Sequence, residues 1–111
     1  MVRQMFFAVG NDVPRAWQDG WYFEVGRAQR ASDSRTPLKE WWAGGSAPML
    51  VVQGMEDVVA VPENAKRLAS EFPDRVTLVE IPKAGHALLP EQAERVREAI
   101  LGYLHKRGAT R

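Results

Sequence analysis

The strongest constraint in this chain is a pair of short apolar runs separated by one helix-length segment. Met49-Leu50-Val51-Val52-Gln53 lies between Pro48 and Gly54, and Val76, Leu78, Val79 and Ile81 precede Pro82. Their length and β-branching predict two strands, the first buried on both faces. Between them Pro62-Glu63-Asn64 opens a helix. Proline suits a first helical turn, and Glu63 complements the dipole there. Ala65, Leu68, Ala69 and Phe72 then recur at helical spacing as one apolar face, and Pro73-Asp74 stops it. A last helix is predicted from near Pro90-Glu91 to about Lys106. Its buried stripe is Val96, Ile100 and Leu104, with Ala93 and Leu101 beside it, and Lys106 and Arg107 suit its C-terminal end. Strand, helix, strand, helix implies an α/β fold with parallel strands and crossover helices. A two-stranded sheet is marginal alone, so its open edges predict self-association or partial folding.

The chain has 111 residues, enough for one domain. Its net charge of +1 gives no field that would draw it to nucleic acid or a membrane surface. It has no cysteine, which excludes disulfides, thiolate metal sites and a cysteine nucleophile. The two histidines, His86 and His105, do not make a metal site, and His105 reads as a helix-terminal surface residue. There is no Gly-rich phosphate loop, so no cofactor is expected. No apolar run approaches the roughly 20 residues needed to span a bilayer. The first residues make a poor signal peptide, so the default expectation is cytoplasmic.

Composition shifts near Ser46. Residues 1–45 hold all four tryptophans (Trp17, Trp21, Trp41 and Trp42). There Phe6-Phe7-Ala8-Val9 reads as a short strand and residues 13–29 as a helix. Residues 36–42 read as a short helix, with Thr36 as cap and Pro37 at its first position. The tryptophans line an apolar pocket or anchor a small core, and the sequence alone leaves both open.

Ligands of open parallel sheets bind beyond the carboxyl ends of strands. Gly54-Met55-Glu56-Asp57 follows the first strand and Gly85-His86 the second. A carboxylate that accepts a hydrogen bond from imidazole fixes its tautomer and stabilises its charged form, so Asp57 and His86 make two-thirds of an acid–His–nucleophile system. Glu56 is the alternative acid. Glu91, Glu94 and Glu98, with Arg95 and Arg97, read as a solvated helix face.

These residues resemble the α/β-hydrolase family. Residues 48–57 are similar to its last-but-one strand and acid loop, and Pro62-Glu63-Asn64-Ala65 to the helix that follows. Ile81-Pro82-Lys83-Ala84-Gly85-His86 resembles its histidine loop, and Leu89-Pro90-Glu91-Gln92 opens the closing helix. The resemblance covers about residues 47–105. It implies Asp57 as triad acid and His86 as general base. Residues 46–111 would then be the C-terminal part of the core and residues 1–45 a cap-like segment, with Trp17, Trp21, Trp41 and Trp42 around a small apolar substrate.

The family's G-x-S-x-G nucleophile turn is missing. Gly44-Gly45-Ser46-Ala47-Pro48 has proline where the last glycine belongs and leads into a strand rather than out of one. Ser32, Ser34 and Ser70 have no supporting context. The sequence therefore reads as the C-terminal portion of a hydrolase acting on ester, epoxide, carbon–halide or carbon–carbon bonds, inactive alone. The alternative is a non-catalytic module that self-associates or binds a small apolar ligand.

Overall fold

The computed structural model describes residues 1–109. Strand β1 (Met49–Gly54) pairs in parallel with β2 (Val76–Ile81), in a register that sets Met49 against Val76 and Gly54 against Ile81. Helix α4 (Pro62–Glu71) makes the crossover, with Pro62 in its first turn. Helix α5 (Leu88–Ala109) closes the chain. Both helices pack on the sheet, and the α/β architecture expected from the sequence is present.

The core is small. Ile81, Ala84 and Val96 are buried together, with Val52, Val79 and Leu88 packed against them. Burying a side chain such as Ile81 contributes about 1.5–3 kcal/mol. β1 is only half-buried from Met49 to Val52, not buried on both faces as its composition predicts. Likewise, of the predicted stripe on α5 only Val96 is buried, while Ile100, Leu101 and Leu104 stay exposed. Both departures have one cause: a sheet of two strands is too narrow to cover a helix of 22 residues. Near its start α5 bends at Gln92 (φ −140°, ψ 48°). Pro90 lies two residues earlier, and prolines commonly mark such kinks.

The N-terminal part departs most from expectation. Residues 2–6 form a short helix, α1 (Val2–Phe6), and no strand occupies residues 6–9. Phe7 and Ala8 are nonetheless buried, because this stretch lies against the histidine loop rather than beside a strand. The expected helix over residues 13–29 is broken into a 3₁₀ turn (Arg15–Trp17) and helix α2 (Phe23–Asp33). Gly20 between them has φ +81°, a left-handed conformation that ends a helix. Helix α3 (Leu38–Trp41) begins after Pro37, one residue later than expected. Thr36 does not cap it; its hydroxyl donates back to the Ser32 carbonyl at 3.4 Å.

Candidate active site

Asp57 and His86 emerge from the carboxyl ends of neighbouring parallel strands, and two hydrogen bonds draw their loops together. Met55 N–H donates to the Ile81 carbonyl and Glu56 N–H to the Ala84 carbonyl, both at 2.9 Å. Glycine is what lets the backbones come so close. A Cβ on Gly54 would run into the carbonyl oxygens of Gly85 and Ala84. A Cβ on Gly85 would lie 2.8 Å from the Phe6 carbonyl oxygen and 2.9 Å from the Ala8 nitrogen.

Within this junction Asp57 is 6% exposed. Its Oδ1 accepts the Val59 and Ala60 N–H groups, each at 2.9 Å. Its Oδ2 lies 2.9 Å from His86 Nδ1. The carboxylate is thus fixed by its own loop and holds the imidazole through one ring nitrogen. That leaves Nε2 as the nitrogen available to a reacting group. The His86 side chain remains 40% exposed. Gln53 supports the acid loop from beneath: it is buried, and its amide donates to the Gly54 and Ala60 carbonyls. Glu56 is exposed, and it is Asp57 that meets the histidine.

Glu91 was expected on a solvated helix face. It is half-buried instead. Its Oε1 accepts the Gly85 N–H at 2.8 Å, and its Oε2 accepts the Ala8 N–H and the Asn11 amide, each at 2.7 Å. Asn11 also donates to the Lys83 carbonyl at 2.9 Å. The Phe6 carbonyl accepts the Ala87 N–H at 2.8 Å. These bonds bind the N-terminal segment to both sides of His86. Nothing in the sequence separates Glu91 from Glu94 and Glu98; in the structure it lies just before the bend at Gln92 and reaches the histidine loop.

The four tryptophans divide into two groups. Phe6 stacks on Trp21, with centroids 5.2 Å apart, and lies 5.6 Å from the His86 ring. Trp17 packs on Phe6, Phe7 and Trp21. This pair therefore belongs to the aromatic cluster beside His86. Trp41 and Trp42 precede β1, at the amino edge of the sheet, and the structure does not bring them to the pair. The Trp42 indole donates to Glu71 at 2.6 Å and faces the Arg67 guanidinium. The Arg67 hydrogen bond, then that of Trp42, lower the pKa of the Glu71 carboxyl.

Ser46 also sits at the amino edge, in a bend before β1. Ser34 donates to its own helix, at the Ala31 carbonyl. Among the described residues no serine hydrogen-bonds to His86, no group of His, Asp and Glu can hold a metal ion, and no helix is long and apolar enough to cross a membrane.

Haloalkane dehalogenase 2 from Mycobacterium bovis and from Mycobacterium tuberculosis are each 40% identical over 58 residues, covering 51% of this chain and 20% of theirs. A thermophilic esterase from Thermogutta terrifontis, solved with malate bound, superposes with a TM-score of 0.56 and 36% identity over 65% of this chain and 26% of that one. The chain thus spans about a fifth of the length of these curated relatives. The family model described as TAP-like protein matches residues 16–110. With the strand order and the two loops already described, this match establishes that the chain belongs to the α/β-hydrolases, in the TAP-like protein family.

Proposed function

We propose that Asp57 and His86 are the acid and general base of a nucleophile–His–acid hydrolytic system, acting on an ester or carbon–halogen bond. The observation that carries this reading is the 2.9 Å bond between a buried carboxylate and a half-exposed imidazole at adjacent strand ends. In this reading Asp57 holds the tautomer that leaves Nε2 unprotonated. Nε2 then takes the proton of the nucleophile, or of the water that hydrolyses a covalent intermediate. The nucleophile and the oxyanion donors lie outside the described residues, so the isolated chain is inactive. Residues 1–45 act as a cap, with Trp17 and Trp21 on the substrate side and a small apolar molecule beneath it.

The test is turnover of a short-chain p-nitrophenyl ester and a short haloalkane by the protein that carries this chain. His86→Ala and Asp57→Asn are each expected to lose roughly 10⁴-fold in kcat. Turnover by His86→Ala within tenfold of the parent overturns the assignment. Turnover by the isolated 111-residue chain that Ser46→Ala abolishes would place the nucleophile inside it.

A further inference from the structure

A cavity of about 840 Å³ lies between α1 and α2, within the range of small-molecule sites. One wall is a single face of α2. Phe23, Gly26, Arg27, Arg30 and Ala31 line it at the three- and four-residue spacing of neighbours on a helix, and Ser34 follows just past the helix end. The opposite wall is α1, through Met5 and Phe6, and Trp21 closes one end. Phe6 is shared: it stacks on Trp21 on the cavity side and lies 5.6 Å from the His86 ring.

The charge of this cavity is one-sided. Among the described residues that line it, Arg27 and Arg30 carry the only charged side chains, and none is acidic. Neither arginine forms a salt bridge with a described residue. Two guanidinium groups one turn apart, above an apolar floor, fit a planar anionic head with a greasy tail. We propose that the α1–α2 cavity binds small molecules with an apolar body and a carboxylate. That such a molecule is the substrate rests on the hydrolase reading above; that it binds does not.

The test is titration of the whole chain with octanoate and with octanol, read by calorimetry. The two probes share a tail and differ in charge. Octanoate is expected to bind about tenfold tighter or more, the worth of one charge-assisted hydrogen bond. The preference should shrink in about 1 M salt, where screening reaches a few ångströms. Arg27→Gln/Arg30→Gln should bring octanoate to the level of octanol and leave octanol unchanged. Gly26 supplies a second variant. A Cβ there meets nothing within 4 Å, so Gly26→Leu keeps the helix and fills the cavity, and should weaken both probes. Equal affinity of the parent for both probes, no binding of either, or a carboxylate preference that survives the double substitution overturns the proposal. Binding unaffected by Gly26→Leu also does so. If the octanoate preference holds and His86→Ala in the protein that carries this chain keeps its turnover, the hydrolase assignment falls while the site stands. If it loses turnover and the parent shows no preference, the site falls alone.

Discussion

The Glu91 carboxylate accepts the N–H of Gly85, the residue before His86, at 2.8 Å. Its second oxygen takes Ala8 N–H and the Asn11 amide, so one side chain of α5 clamps the N-terminal segment onto the histidine loop. Deleting it strands the part-buried N–H groups of Gly85 and Ala8, each left with a desolvation penalty, and leaves the Asn11 amide only its bond to the Lys83 carbonyl. Glu91→Ala should lower stability by about 2–3 kcal/mol. Glu94→Ala, whose partner Arg97 is on the surface, should change it by about 0.5 kcal/mol or less. Urea unfolding of both variants and the parent makes the comparison. Equal losses would mean that Glu91 is an ordinary surface acid.

The two loop glycines should be intolerant where a helix glycine is not. Gly85→Ala sets a methyl group against the Phe6 and Ala8 backbone, and Gly54→Ala against the Ala84 and Gly85 carbonyls. Neither backbone can yield without breaking the contact that brings Asp57 to His86. Each is expected to lower Tm by several degrees or more, the effect of about 1–3 kcal/mol. Gly102→Ala, within α5 where a Cβ meets nothing, should raise stability by about 0.5–1 kcal/mol. A thermal melt of the three variants separates the two behaviours.

The contrast between these residues also shows what the sequence makes legible. Strands and crossover helix follow from local signals, namely β-branched runs, Pro62 and a helical apolar period, and the structure reproduces them within a residue or two. The placement of Asp57 and His86 follows from topology, because parallel strands put their carboxyl ends on one edge. Glu91 and the segment at residues 6–8 depend on chain separations of about 80 residues, which no local pattern encodes. The apolar run Phe6-Phe7-Ala8 carries a burial signal without its geometry, so it reads as a strand and is in fact a helix end seated on a loop. Exposure of Ile100 and Leu104 is the converse: the periodic stripe is there, but the sheet beneath it is not wide enough.

The surface pair at the far end of α4 predicts a pH dependence. Hydrogen bonds from Arg67 and then Trp42 hold Glu71 below its ordinary value of 4.5. A carboxyl whose folded pKa is depressed binds its proton more readily when unfolded. Its contribution is therefore present above about pH 4.5 and fades as pH falls through the lower folded value. Glu71→Gln should remove this part of the acid-side loss, leaving a flatter stability profile between pH 5 and pH 3. The check is the urea midpoint of parent and variant across that window. Parallel profiles would mean that the pair contributes nothing in solution.

Among the described residues each strand has a single neighbour, so β1 and β2 both leave one edge unpaired, and Ile100, Leu101 and Leu104 of α5 stand exposed beside a partly covered sheet. Unpaired edges next to apolar surface favour pairing with another strand. The isolated chain is therefore expected to self-associate, with an average mass that rises with concentration in sedimentation velocity. Thr77 is an exposed position on β2, and Thr77→Lys places a charge on that edge without disturbing the core. It should shift the distribution toward the monomer. A monomer at every concentration, with one sharp cooperative unfolding transition, would contradict this expectation. It would mean that the core of Ile81, Ala84 and Val96 suffices without further strands.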